Sequence, residues 1–172
     1  MPASQELRTA RLLLRPVVPG DVDALHALLT DPDVRRHLLD GETVSRDFVA
    51  RSIADSQGAF ARIGCGLYAV HAMHQEPLLG QRPLLGMCGL HLSGMPPERQ
   101  LVYALAPAAW GQGYASEAVR AVVARAQELR FKTIVATTEA DNTASIAVLH
   151  ACGFAPVVEV IERGRAVVRY VR

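Results

Sequence analysis

The stretch from Tyr103 to Glu117, YALAPAAWGQGYASE, constrains the fold of this chain more than any other. It has the composition of a β-strand that stops at Pro107, followed by a turn with Gly111 and Gly113 and then by a helix. A helix that begins behind two glycines presents unpaired main-chain N–H groups at the positive end of its dipole. Such a helix start binds phosphate. The sequence therefore predicts a site for a pyrophosphate-bearing cofactor at this turn.

Two known nucleotide motifs compete for the same turn, and neither fits it well. The dinucleotide fingerprint needs three glycines directly after a strand, but Ser116 occupies the third position and Pro107 intervenes. The P-loop needs Gly-Lys followed by Ser or Thr, and the chain has a single lysine, Lys132. A binder of NAD-type dinucleotides is therefore disfavoured. The alternative that the glycines only allow a close backbone approach at a helix entry stays open.

The length and composition predict one folded domain over residues 1–172. The formal net charge of +1 gives no case for nucleic-acid binding, and no apolar run is long enough for a signal peptide or a membrane span. Three cysteines without a C-x-x-C pair disfavour a disulfide framework and a zinc site. We therefore expect a cytoplasmic protein that uses no metal and binds neither nucleic acid nor membrane, as a monomer or a homodimer.

Hydrophobic periodicity predicts an α+β (mixed α/β) architecture. Segments with apolar residues at helical spacing alternate with short β-branched runs, which gives the order β-α-α-β-β-β-α-β-α-β-β. The helix over Ala115–Arg130 carries Ala118, Val119, Val122, Val123, Ala126 and Leu129 on one face. A further helix opens at Asn142, a good N-cap residue, and closes before Gly153.

Three segments together resemble the GNAT superfamily of N-acetyltransferases. They are LRTARLLLRP from Leu7, WGQGYASEA from Trp110 and NTASIAVLHACGF from Asn142. More narrowly, the chain is similar to the branch that contains the ribosomal-protein-alanine N-acetyltransferases, over about Leu7 to Tyr170. The resemblance implies a central mixed, mostly antiparallel sheet of about seven strands, splayed between its central strands and flanked by about four helices.

The resemblance implies acetyl-CoA as the donor and assigns residues to it. Main-chain groups of a splayed strand would pair with the pantetheine arm, and the N–H of Leu105 would stabilise the oxyanion. The glycine turn would bind the pyrophosphate, Asn142 would bind the pantetheine arm, and Ser145 would face the sulfur. Many members of the superfamily have, at the position of Leu149, a tyrosine that acts as general acid toward the departing thiolate. Because this chain has leucine there, Ser145 becomes the proton donor or relay. The implied cofactor-binding residues are Tyr103, Ala104, Leu105, Gly111, Gln112, Gly113, Tyr114, Ala115, Ser116, Asn142 and Ser145.

The general base is the least determined part of this site. An ammonium acceptor must lose a proton, and His91 at the end of a strand has suitable chemistry. Glu139, at the end of another strand, is the second candidate because it could hold a water molecule. The basic run Arg35–His37 is interpreted as a solvated loop.

The sequence thus predicts an N-acetyltransferase that moves an acetyl group from a thioester directly to a primary amine. A protein N-terminal amine is one candidate acceptor. A small amine, such as an amino acid, a polyamine or an antibiotic, is the alternative within enzymes. An acyl-CoA-binding sensor without turnover is the alternative from another class, because no strong acid or base is evident in the sequence.

Overall fold

The computed structural model describes residues 5–38, 41–73, 82–93 and 98–172. Within these ranges the chain forms one mixed sheet with helices on both faces, which confirms the expected α+β architecture. The elements in chain order are β1 Leu7–Arg8, β2 Leu12–Pro16, α1 Val22–Thr30, α2 Pro32–Arg35, α3 Arg46–Ile63, β3 Leu67–Ala72, β4 Leu84–Ser93, β5 Glu98–Leu105, α4 Tyr114–Glu128, β6 Val135–Glu139, α5 Thr143–Ala151, β7 Ala155–Glu162 and β8 Arg165–Val171.

The described residues contain eight strands and five helices, one more of each than the sequence predicts. The additional strand is the two-residue β1, which pairs antiparallel with β2. The additional helix is the four-residue α2, which begins at Pro32 behind the side-chain cap of Asp31. Elements this short carry too few residues for a periodic hydrophobic pattern, which is why sequence analysis missed them.

The sheet is open, with the strand order β1-β2-β3-β4-β5-β6-β8-β7. All neighbouring strands are antiparallel except β5 and β6, which run parallel and share a single residue pair, Gln100 with Val135. Beyond that pair β5 continues along β4 as far as Leu105, while β6 continues along β8 as far as Glu139. The sheet therefore splays at its centre, as the fold class predicts, and a gap opens between the C-terminal halves of β5 and β6.

Two apolar clusters cover the two faces of the sheet. The larger cluster packs α4 and α5 against one face, and all five buried residues of α4 (Ala118, Val119, Val122, Val123 and Ala126) belong to it. The smaller cluster packs α1 and α3 against the other face. Each fully buried valine contributes about 1.5 to 3 kcal/mol to folding. The apolar stripe of α4 therefore fixes the helix on the sheet and determines where its first turn lies.

No helix among the described residues combines the length and the apolar character that crossing a bilayer requires. The cysteines at positions 65, 88 and 152 are buried free thiols, as small core residues are expected to be.

An ion pair beneath the start of α1 allows a prediction about stability. Asp21 is 9% exposed, and its carboxylate accepts two hydrogen bonds from Arg15 (2.7 and 2.8 Å) and one from the Val18 N–H (2.8 Å). Burial by itself would raise the pKa of Asp21, but these donors outweigh burial and lower the pKa below its ordinary value. The stability that the carboxylate contributes is therefore present above the unfolded-state pKa and is lost as pH falls through the folded-state pKa.

We expect the Asp21→Asn variant to lose about 2 kcal/mol of unfolding free energy at pH 7, because it leaves a half-buried guanidinium without its charge partner. The difference from the wild type should shrink as pH falls below about 3.9, where the Asp21 carboxyl of the unfolded chain becomes protonated, and it should disappear below the folded-state pKa. Urea denaturation at a series of pH values measures both effects. The matched control is Asp23→Asn, because Asp23 pairs with Arg46 at a side-chain exposure of 72%. That change should cost less than about 0.5 kcal/mol, and an equal loss in both variants would contradict the prediction.

Candidate functional site

The gap between β5 and β6 opens into a cavity with a volume of about 940 Å³. Its walls are the second half of β5, the end of β6 and the first turns of α4 and α5, and residues of α2 and just after it close one end. Every residue that the sequence predicts for the site lines this cavity except Gln112. The exposed side chain of Gln112 instead donates to the Ala108 carbonyl (2.8 Å), which closes the turn before α4.

The main chain of β5 presents hydrogen-bonding groups to this gap. The Ala106 N–H donates to the Leu85 carbonyl of β4 (2.8 Å), and hydrogen-bonded pairs alternate along an antiparallel ladder. The main-chain groups of Ala104 therefore also face β4, whereas those of Tyr103 and Leu105 face the side from which β6 has diverged. The indole N–H of Trp110 donates to the Leu105 carbonyl (2.7 Å). The Leu105 N–H thus points into the gap, beside a carbonyl that already has a partner.

The glycine turn has the backbone conformation that a close approach to a ligand requires. Gly111 and Gly113 have φ angles of +71° and +77°, which residues with a Cβ rarely adopt. Gly113 is the N-cap of α4, and among the described residues no side chain caps this helix. The first N–H groups of α4 therefore face the cavity without a side-chain acceptor. This is the arrangement that binds phosphate groups.

An ion pair between Glu117 and Arg11, which lies near the N-terminus, stabilises this turn. The Glu117 carboxylate, in the first turn of α4, accepts from the main-chain N–H (3.0 Å) and the Nε (2.7 Å) of Arg11 and from the Thr9 hydroxyl. Arg11 also donates to the Gln112 carbonyl (2.9 Å) and lies over the ring of Tyr114. Burial would raise the pKa of Glu117, but its donors outweigh burial and lower it. The carboxylate stays charged and holds the turn to the β1–β2 connection.

Ser145 lies at the opposite wall, where α5 begins. The side chain of Asn142 caps α5 by accepting from the Ser145 N–H (3.1 Å), which fixes the first turn of the helix. The Ser145 hydroxyl lies 2.6 Å from the hydroxyl of Tyr103, and either oxygen can be the donor. Burial raises the pKa of Tyr103 to about 12, so this phenol stays protonated. Sequence analysis assigned Tyr103 only a main-chain role and did not anticipate its hydroxyl beside Ser145.

The two predicted base candidates have different surroundings. His91 lines the cavity with an exposed side chain. The Glu139 carboxylate is already engaged, because one oxygen lies 2.5 Å from Nδ1 of His37 and the other accepts from Arg165. Burial would raise the pKa of Glu139, but His37 and Arg165 outweigh burial and lower it. Glu139 is therefore an ionised carboxylate with one hydrogen bond at each oxygen, and its role as a base or as the residue that holds a water molecule stays a prediction.

Sequence analysis missed His37. The interpretation of Arg35–His37 as a solvated loop fits the exposed Arg36, but the His37 side chain is only 27% exposed and lines the cavity. Its partner Glu139 is 102 positions away in the sequence. A histidine inside a basic run gives no signal of such a partner, so only the folded chain could identify the pair.

The same end of the cavity contains a small cluster of groups that ligate metals in other proteins. Side-chain atoms of His37, Glu139 and Asp141 lie within 4.8 Å of one another. Arg165 pairs with Glu139, and a guanidinium beside that carboxylate opposes a second cation. We therefore interpret the cluster as a histidine–carboxylate pair, and the expectation that no metal takes part stays a prediction.

Comparisons with known proteins agree with this architecture. The family model of the acetyltransferase (GNAT) domain matches residues 11–155. A search of curated proteins found no match. A solved structure from Bordetella pertussis, assigned to the GNAT family of acetyltransferases, superimposes with a TM-score of 0.79 at 22% identity, over 97% of this chain and 98% of that chain.

Two further solved structures carry more specific names. RimL, a ribosomal L7/L12 alpha-N-protein acetyltransferase in complex with coenzyme A, matches with a TM-score of 0.78 at 18% identity, over 97% of both chains. An acetyltransferase from Salmonella typhimurium, which modifies the N-terminal serine of ribosomal protein L7/L12, matches with a TM-score of 0.74 at 19% identity, over 95% of both chains. At these identities the similarity shows the fold.

Proposed function

Since the chain belongs to the GNAT family of acetyltransferases, we propose that it moves the acetyl group of acetyl-CoA directly to a primary amine, with the N-terminal amine of a protein or peptide as the acceptor. One observation carries the proposal: a single cavity joins the glycine turn to the gap along β5 and to the Tyr103–Ser145 pair. The groups proposed to bind phosphate, to pair with the pantetheine arm and to carry a proton thus line one cavity.

In this proposal the pyrophosphate binds to the main-chain N–H groups of residues 111–116. The pantetheine arm then extends along β5 and hydrogen-bonds with the outward-facing main-chain groups of Tyr103 and Leu105. The spare side-chain amide of Asn142 is a further donor, since its carbonyl oxygen caps α5. Because β6 diverges from β5 after one residue pair, the pantetheine arm would hydrogen-bond with the β5 main-chain groups that a neighbouring strand would otherwise pair with.

The chemistry would be a direct attack of the amine on the thioester carbonyl. Much of the rate gain would come from holding the two reactants in line. The Leu105 N–H would stabilise the oxyanion, and one such donor is worth about 3 kcal/mol. Ser145 would hydrogen-bond the departing thiolate or relay a proton to it, with its hydroxyl oriented by Tyr103.

The choice of acceptor rests on two supports. Acidic side chains of Asp33, Asp141 and Glu162 line the cavity, where they would attract a positively charged amine. In addition, RimL, which shares this fold, acts on a protein N-terminus. A small-molecule amine and a non-catalytic acyl-CoA sensor remain the alternatives. We further propose a cytoplasmic protein of one domain, monomeric or homodimeric, that binds no nucleic acid or membrane.

The test is a screen for acetyl-CoA-dependent thiol release. Short peptides with a free N-terminal Ser or Ala would be compared with the same peptides blocked at the N-terminus and with polyamines, amino acids and aminoglycosides. We expect release with the free peptides and none with the blocked ones. Turnover of small amines alone would favour the small-molecule alternative. Acetyl-CoA binding without turnover of any amine would favour the sensor.

A further inference from the structure

A histidine–carboxylate pair, His37 with Glu139, lies in the wall of the cavity, and no sequence pattern indicated it. Nδ1 of His37 lies 2.5 Å from one oxygen of Glu139, and Asp141 is 3.8 Å away. The other oxygen of Glu139 pairs with Arg165, which also donates to the Arg36 carbonyl. Arg165 of β8 thus holds both Glu139 and the segment just after α2 that carries His37.

The protonation state of the pair follows from hydrogen-bond chemistry. An ionised carboxylate has no proton to donate, so a contact this short requires the proton on Nδ1. In the neutral ring the lone pair then belongs to Nε2. Among the described residues Nε2 of His37 has no hydrogen-bond partner, and the side chain lines the cavity. A basic nitrogen is therefore available where the acceptor would enter.

We propose that His37 is the general base of the reaction and that Glu139 is its positioning residue. This inference rests on the proposed function. The ammonium of the acceptor gives one proton to Nε2 of His37, and the neutral amine attacks the thioester carbonyl carbon. As the tetrahedral adduct collapses, the C–S bond breaks and the second proton of the nitrogen reaches the thiolate through Ser145. The products are the acetylated amine and coenzyme A as a thiol, and His37 returns its proton to solvent.

The charged groups around His37 affect how turnover depends on pH. Glu139 stays ionised because its donors lower its pKa, so it does not titrate with the base. The other charged and imidazole side chains that line the cavity or bond to Glu139 are those of Asp33, Arg36, His91, Asp141, Glu162 and Arg165.

The test compares His37→Gln with the wild type in thiol release from acetyl-CoA with a free-N-terminal peptide. We expect kcat to fall about 30-fold at pH 7. This loss is smaller than is usual when a general base is removed, because the fraction of the amine that is already neutral still reacts unaided. The KM for acetyl-CoA should change less than threefold. The deficit should shrink to a few-fold at pH 9, since an α-amino group with a pKa of about 7.7 to 8.0 is then already neutral. A purely structural role of His37 would not produce this convergence.

Three further variants separate the roles. Glu139→Gln should lower kcat by about fivefold, and the double variant should be no slower than His37→Gln, because Glu139 acts through His37. His150→Gln is the matched control: this exposed histidine does not line the cavity, and its loss should leave kcat unchanged. A double variant that multiplies the two single losses would contradict the positioning role of Glu139.

The outcomes distinguish this inference from the proposed function. If the wild type releases no thiol with any amine, the proposed function fails and the inference fails with it. If the wild type is active and His37→Gln is equally active at pH 7, only the inference fails. Nitrogen-15 NMR of labelled histidine gives a readout that needs no substrate. We expect His37 to be protonated on Nδ1 in its neutral form, and a neutral ring protonated on Nε2 would overturn the inference.

Discussion

The Ser145→Ala variant is expected to lose about 100-fold in kcat while its affinity for acetyl-CoA stays within threefold of the wild type. Proton transfer by a positioned side chain is worth about 100-fold or more. Apart from its hydrogen bond with Tyr103, whose hydroxyl also lies 3.2 Å from the Ser145 carbonyl, the Ser145 hydroxyl takes no part in capping α5, because Asn142 bonds to the main-chain N–H of Ser145. Removing the hydroxyl should therefore leave the start of α5 intact and take away only the group that meets the leaving thiolate.

The controls for this variant follow from the contacts of the hydroxyl. Tyr103→Phe keeps the ring and removes the phenol 2.6 Å from Ser145, so it should cost about tenfold in kcat through misorientation. Ser52→Ala is the matched serine control, because the Ser52 hydroxyl donates to the Phe48 carbonyl within α3 and Ser52 does not line the cavity. Steady-state thiol release gives kcat, and calorimetry gives the affinity for acetyl-CoA. Full turnover in Ser145→Ala would remove this residue from the mechanism.

The Gly113→Val variant is expected to bind acetyl-CoA about 100-fold more weakly, a loss of about 2.8 kcal/mol. Gly113 has a φ of +77°, and an added Cβ would lie 3.4 Å from a guanidinium nitrogen of Arg11. A β-branched residue strongly resists this conformation. The turn would relax toward negative φ and redirect the N–H groups at the start of α4, which are the proposed pyrophosphate donors.

A second glycine provides the matched control for this change. Gly164, in the turn between β7 and β8, has a φ of +81°, no heavy atom within 4 Å of an added Cβ and no place in the cavity wall. Gly164→Val should lower the unfolding free energy by about 1 to 2 kcal/mol through the same strain and leave the affinity for acetyl-CoA unchanged. Calorimetry on both folded variants compares them, and Gly113→Ala is the milder substitute if the valine variant does not fold. Wild-type affinity in a folded Gly113→Val protein would refute the placement of the pyrophosphate.

The parts of the fold that sequence analysis predicted correctly are those with a local signal. The apolar stripe of α4 repeats every three or four residues, and all five of its predicted positions from Ala118 to Ala126 are buried. Asn142 caps α5 as its position before the helix indicates. Gly111 and Gly113 adopt the positive φ angles that a tight turn into a helix requires. Propensity, capping and turn chemistry act between near neighbours, so a sequence shows them directly.

The contacts between distant residues of the candidate site have no local signal in the sequence. Tyr103 meets Ser145 across 42 positions, Glu139 meets His37 across 102 and Arg11 meets Glu117 across 106. Each pair depends on the order of strands in the sheet, and no spacing within one segment encodes it. This is why sequence analysis could propose Glu139 as a base candidate that holds a water molecule but could not show that its carboxylate contacts His37 and Arg165.

By itself, the sequence determined the longer elements of this protein, the glycine turn before α4 and, through its resemblance, the family. Tertiary structure alone decided which side chains share the cavity and which of them already have partners. The physical reason is the range of the forces involved. Backbone preferences and hydrophobic periodicity act over a few residues, whereas the gap between β5 and β6 and the charge pairs around it form only when distant strands take their places in one sheet.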